Sequence, residues 1–145
     1  MSEEEEKSVY EKLREFYSKT TAEHVLRPRN NADIPNPDGF ASHRSGCSET
    51  MEIRLALDGG KICRTGFWTD GCAATIACGS MATELAKGRT TANAMSISAR
   101  EIADALEDFP ETNFHCAMLA AQTLHAALLN SVEISRDPWK KLYRK

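Results

Sequence analysis

A chain of 145 residues, 41% apolar and 27% charged, has material for one folded domain; it is too short for two and too apolar for a disordered tract. Eighteen Lys and Arg stand against 21 Asp and Glu, a formal charge of −3, and no basic stripe is interleaved with aromatics, which argues against a nucleic-acid partner. The acidic start, MSEEEEKSVY, is unlike a secretory signal or a mitochondrial transit peptide, and no apolar run approaches membrane-spanning length. The expectation is one domain over residues 1–145, cytoplasmic and without membrane contact.

In chain order, residues 3–19 alternate charge with an apolar stripe, Val9, Leu13, Phe16 and Tyr17, and predict an amphipathic helix with carboxylates at its favourable end. A short helical piece, Thr21 to Leu26, stops at Arg27-Pro28-Arg29-Asn30. Residues 1–23 thus read as a helical extension and 30–40 as a loop. Residues 49–57 alternate with Met51, Ile53, Leu55 and Leu57 on one face. Asp58-Gly59-Gly60 supplies a tight turn, and Lys61 to about Thr69 returns with Cys63, Thr65 and Phe67 on one face.

After Asp70-Gly71 the period becomes helical, with Ala74, Cys78, Met81 and Leu85 in a stripe that stops at Lys87-Gly88. Ser98 caps a helix through Leu106, with Glu101 completing a capping box. A last core helix runs from Cys116 to about Leu129, and residues 131–145 form a basic tail. The sum is α+β, a small antiparallel sheet backed by helices.

Five cysteines, an odd number, in a reducing compartment point to metal, catalysis or burial rather than to disulfides. Cys47 stands in a Gly46-Cys47-Ser48 turn, Cys72 at one helix start and Cys116 at another. Free N–H groups and the helix dipole at such starts stabilise a thiolate. Cys78 lies about 240° around the helix from Cys72 and falls in the apolar stripe. It reads as a small buried hydrophobe, and so does mid-strand Cys63. Gaps of 25 and 44 residues exclude a zinc-finger or ferredoxin pattern and leave two readings open, a shared metal site or scattered buried thiols. His115, beside Cys116, is a candidate fourth ligand or proton carrier. Glu49 is either a carboxylate ligand or an exposed strand-edge acid. His125 reads as structural, His24 and His43 as in or near loops.

The segments Gly46-Cys47-Ser48-Glu49, Thr69-Asp70-Gly71-Cys72-Ala73 and His115-Cys116-Ala117-Met118-Leu119, in that order, resemble the NifU/IscU family of iron–sulfur cluster assembly scaffolds. The resemblance runs from His24 to about Asn130. It implies a SufE/NifU-like fold, a three-stranded antiparallel sheet packed against helices, with the third strand just before Cys47. It implies that Cys47, Cys72 and Cys116 are the thiolate ligands, with His115 or Glu49 as the fourth, and that Cys116 accepts persulfide sulfur from a cysteine desulfurase. A transient [2Fe–2S] cluster would form from that sulfur and iron and pass to apo acceptor proteins, with zinc at the same site when no cluster is present. A homodimer bridging a cluster is compatible with this.

Two departures stand out. The family's Cys-Gly-Asp is Cys47-Ser48-Glu49 here, which lengthens the carboxylate arm by a methylene. The family's Leu-Pro-Pro-Val-Lys chaperone-recognition motif is Phe109-Pro110-Glu111-Thr112-Asn113, so handover assisted by an Hsp70-type chaperone is not supported. The SufU-type branch carries an insertion between the second and third cysteines and lacks the histidine. The short gap and His115 side with the scaffold branch, which acts as a carrier rather than a turnover enzyme. The alternatives are a zinc-bound, SufU-like sulfurtransferase relaying persulfide without a cluster, and a structural zinc domain that unfolds on chelation.

Overall fold

A computed structural model describes residues 1–143. Helix α1 (Glu3–Arg14) is capped by Ser2, whose hydroxyl accepts from the Glu5 N–H, and four carboxylates fill its first turn. It is shorter than the predicted 3–19, because Ser18 caps a separate helix, α2 (Lys19–Leu26), by accepting from the Thr21 N–H. Ser18 and Thr21 also donate to the Leu106 carbonyl at 2.5 and 2.9 Å, which ties the start of α2 to a segment 85 residues away.

Strands β1 (Gly39–Arg44), β2 (Thr50–Asp58) and β3 (Lys61–Thr69) form one antiparallel sheet in the order β1-β2-β3. The sheet confirms the three-stranded architecture and the strand just before Cys47. Met51, Ile53 and Leu55 of β2 are fully buried beneath the helices, while Glu52 and Arg54 face outwards. Gly59 and Gly60 take φ of 60° and 80°, as a two-residue hairpin turn between Asp58 and Lys61 requires.

One expectation fails in β3. Cys63 does not share a face with Thr65 and Phe67 and is exposed; Ile62 takes the inward position at 0% exposure. The register shifts between Ala56 and Leu57, so that Leu57 pairs with Ile62 and Ala56 with Arg64. The residue left over is Cys63, whose Sγ donates to the Ala56 carbonyl at 3.3 Å. A bulge of this kind flips every side chain on one side of it relative to strict alternation.

Helix α3 (Ala73–Ala86) is buried on most of its circumference rather than along a stripe, because it packs against β3, α2, α6 and α5 together. Cys78 is fully buried there. Gly79 allows a close approach: a Cβ at this position would lie 2.6 Å from the Phe67 ring. His24, read as near a loop, lies buried on α2, with Nδ1 2.7 Å from Ser80 Oγ of α3. The short α4 (Thr91–Ala94) leads to α5 (Ala99–Ala105), where Ser98 accepts from the Glu101 N–H as expected. The Glu101 carboxylate binds Arg89 at 2.9 Å instead of closing the capping box.

Helix α6 (Phe114–Arg136) outruns the expected end near Leu129 by about two turns. Asn130 and Ser131 do not stop it. Asn130 accepts from the Phe40 N–H and Ser131 donates to the Leu128 carbonyl, so both polar groups are satisfied with the helix intact. It ends before Pro138, which disfavours helical geometry at Asp137. The tail continues as a 3₁₀ helix, Pro138–Tyr143, and its last two residues lie outside the described part. No described helix is long and apolar enough to cross a membrane.

Candidate metal and cluster site

Three chain segments meet at one end of the sheet. The loop between β1 and β2 carries Cys47 and Glu49, the turn from β3 into α3 carries Cys72, and the first turn of α6 carries His115 and Cys116. Asp70 and Thr69 join the first two segments. Asp70 Oδ1 accepts from the Thr50 N–H at 2.8 Å, Thr69 Oγ1 donates to the Thr50 carbonyl at 2.6 Å, and the Gly71 N–H donates to Thr69 Oγ1 at 3.1 Å. These bonds hold Glu49 against the start of α3.

The Cys47 loop is a tight turn, with the Ser48 N–H donating to the Ser45 carbonyl and the Ser45 N–H to the Glu49 carbonyl, at 3.1 and 2.7 Å. Ser48 sits at φ 67° in the left-handed region, where the family's Cys-Gly-Asp carries glycine. Cys47 itself is exposed at the tip.

Among the described residues, Glu49, His115 and Cys116 form a group whose donor atoms all lie within 4.8 Å of one another. The Cys116 sulfur is 3.5 Å from His115 Nε2. Cys72, the N-cap of α3, adjoins this group through Thr75, with Sγ 3.6 Å from Thr75 Oγ1. Exposed Cys72 thus borders a half-buried carboxylate, an exposed imidazole and a buried thiol, while exposed Cys47, on the same loop as Glu49, lies outside this close group. One sulfur, one nitrogen and one oxygen within a few ångströms suit a borderline cation such as zinc or ferrous iron, and further thiolates shift the preference towards softer ions.

The helix start at Cys116 is expected, from the sequence, to favour its thiolate. Cys116 behaves otherwise. It is 0% exposed, and burial pushes its pKa up to about 11; the Thr75 hydrogen bond opposes this, while charge on Cys72 and Glu49 reinforces it. Burial dominates here because a thiolate withdrawn from water loses its hydration, a cost that the helix start does not make up. Cys78 is driven well above the usual thiol range by its own burial, which suits a core role.

Two residues of this region were missed by sequence reasoning. Tyr17 had been counted only as part of an apolar stripe. It packs half-buried against the core, and its phenol is raised by burial and then by charge at Cys72, Cys116 and Cys78, so it borders the thiols. Thr75, fully buried, bonds Glu49 Oε2 at 3.0 Å and Cys116 Sγ at 3.3 Å. The signal was available in its place one turn below Cys72, on the same helix face. His125 bonds the Ile97 carbonyl at 2.6 Å and is structural, and His43 is exposed on β1.

Comparison with known proteins agrees with this architecture. The family described as "NifU-like N terminal domain" matches residues 16–136. Iron–sulfur cluster assembly scaffold protein IscU 1 of Archaeoglobus fulgidus is 37% identical over 116 residues, 79% of this chain and 76% of that protein. Iron–sulfur cluster assembly enzyme IscU of Drosophila melanogaster is 33% identical over 119 residues, 78% of this chain and 76% of its own. A crystal structure from Fervidobacterium islandicum, described as a scaffold for iron–sulfur cluster assembly in the SUF system, superposes with a TM-score of 0.63. It does so at 22% identity, over 79% of this chain and 98% of the other, and shares its fold. With nearly the whole chain matched by one family and relatives above 30% identity over most of their length, this chain belongs to the NifU-like N-terminal domain family.

Proposed function

We propose that the chain is a scaffold on which a [2Fe–2S] cluster is assembled and from which it is passed to apoproteins. The observation that carries this reading is the group of Glu49, His115 and Cys116 donors within 4.8 Å, with exposed Cys72 beside it and exposed Cys47 on the loop that carries Glu49. The scaffold names of its relatives support the same reading. A buried site enclosed by four thiolates would favour retention. An edge site with nitrogen and oxygen donors favours a cargo that is built and released.

In this reading Cys116 receives sulfur from a cysteine desulfurase. Its thiolate attacks the outer sulfur of the desulfurase persulfide, a new S–S bond forms on Cys116, and the desulfurase thiolate leaves. Two ferrous ions give two electrons on becoming ferric, and an external electron-transfer protein supplies the other two needed to take two sulfane sulfurs to sulfide. Cys47 and Cys72, exposed on two different loops, close the ligand set with Cys116 and with His115 or Glu49. The cluster is cargo and the chain is its carrier rather than an enzyme with turnover.

Anaerobic reconstitution with ferrous iron, cysteine, a desulfurase and a reductant that supplies the two remaining electrons tests this. The wild type should develop a [2Fe–2S] visible spectrum that moves to an apo-ferredoxin, and Cys47→Ser, Cys72→Ser and Cys116→Ser should each abolish it. A protein that keeps zinc, forms no cluster and only accepts persulfide overturns the scaffold and establishes the sulfur-relay alternative.

A further inference from the structure

Thr75 is 0% exposed at the third position of α3, and its hydroxyl meets side chains from three separate segments. Its Oγ1 lies 3.0 Å from Glu49 Oε2, 3.3 Å from Cys116 Sγ and 3.6 Å from Cys72 Sγ. A hydroxyl has one proton to give and two lone pairs to offer. Glu49 and Cys116 both lie where they accept from this hydroxyl, and the carboxylate, nearer and a stronger acceptor than sulfur, takes the larger share of its single proton. Among the described residues, Thr75 is the side chain that hydrogen-bonds the Glu49 carboxylate.

The hydroxyl is held in place. A Cβ on Gly71 would stand 2.7 to 2.8 Å from Thr75 Cβ, Cγ2 and Oγ1, so the backbone at Gly71 lies directly on this side chain. Branching at Cβ further limits its rotamers. Glu49 needs such an anchor. Compared with the aspartate of Cys-Gly-Asp, it has one more torsion, and an untethered arm would spread its carboxylate over more positions.

We propose that Thr75 is a positioning residue that fixes the Glu49 carboxylate beside Cys116 and His115, so that the longer acid still presents an oxygen ligand to the incoming metal. The inference rests on the reading of this site as a metal and cluster scaffold. One hydrogen bond leaves the remaining carboxylate lone pairs available to a cation. Partners of this kind commonly change metal affinity by about 10- to 100-fold when removed.

The probe is Co²⁺ added anaerobically to the metal-free protein, followed by its thiolate charge-transfer band and by competition with a chelator. Thr75→Ser keeps the hydroxyl and Thr75→Ala loses it, while both lose the methyl group. Thr75→Ala should weaken Co²⁺ binding by about 10- to 100-fold, and Thr75→Ser should stay within about twofold of the wild type. In a Glu49→Ala background the additional Thr75→Ala change should cost nothing further. Thr75→Val repeats the comparison with the branched shape kept, and circular dichroism checks the fold of each variant. A Thr75→Ala that binds Co²⁺ like the wild type, or one that loses as much affinity without Glu49 as with it, overturns the proposal and leaves the scaffold reading standing. A wild type with no thiolate-to-cobalt band overturns the scaffold reading and this proposal together.

Discussion

The protonation of Cys116 provides a direct test of how burial and helix position compete at this site. Its pKa of about 11 lies two units above the ordinary thiol value of 9.0. At neutral pH that lowers the thiolate population about 100-fold, equivalent to about 2.7 kcal/mol of preference for the neutral form. Higher basicity raises the nucleophilicity of each thiolate by about 6- to 10-fold, so net reactivity falls about 10-fold before access is considered. The same shift predicts alkaline instability. An unfolded Cys116 ionises near 9.0 while the folded one keeps its proton to about 11, so stability is intact below pH 9 and falls by about 1.4 kcal/mol per unit through that window. Buried Cys78 adds to the loss. Metal-free protein labelled with ¹³C at cysteine Cβ gives one resonance per thiol, and Cys116 should titrate with a midpoint near 11. Removing the Thr75 hydrogen bond in Thr75→Ala should move that midpoint higher still. A midpoint at or below 9 would refute the reasoning and show that the helix start dominates.

Three further outcomes follow from the packing. Ser48→Gly should raise stability by about 1 kcal/mol in denaturant unfolding, since Ser48 occupies φ 67° and glycine adopts that region freely; an unchanged midpoint counts against strain in the Cys47 loop. Gly79→Ala should destabilise by about 1–3 kcal/mol, because its Cβ would stand 2.6 Å from the Phe67 ring and 3.1 Å from Met51 Cε, with the fold otherwise kept. His24, buried and facing Ser80, is held below the usual imidazole value of 6.5 by burial and then by Arg29. The unfolded His24 therefore takes up a proton below pH 6.5 while the folded one stays neutral, so its contribution is present above that pH and is lost as pH falls. Urea midpoints at pH 7.5 and 5.5 should converge in His24→Gln relative to the wild type.

Much of what depended on neighbours in the chain was legible in the sequence, though the Ser18 cap that ends the first helix early was not. The Asp58-Gly59-Gly60 turn, the alternation of β2 and the Ser98 cap follow from local sterics and hydrogen bonding, which a few adjacent residues decide, and the last helix begins at Phe114, two residues before the expected Cys116. The family, too, was recognisable from three short motifs in order. Tertiary structure alone decided the rest, because burial and long-range partners set it. A bulge opposite Ala56 turned Cys63 outwards and Ile62 inwards. Phe40 and the Leu128 carbonyl satisfied Asn130 and Ser131, and so carried α6 to Arg136. The packing of α3 and α6 removed Cys116 from water and so raised a thiol that its helix position alone would have lowered. Thr75 met Glu49 across 26 positions of chain, a contact no local pattern encodes. Local rules act through bonds between near neighbours; solvent exclusion acts through the whole packed domain, and at this site it prevails.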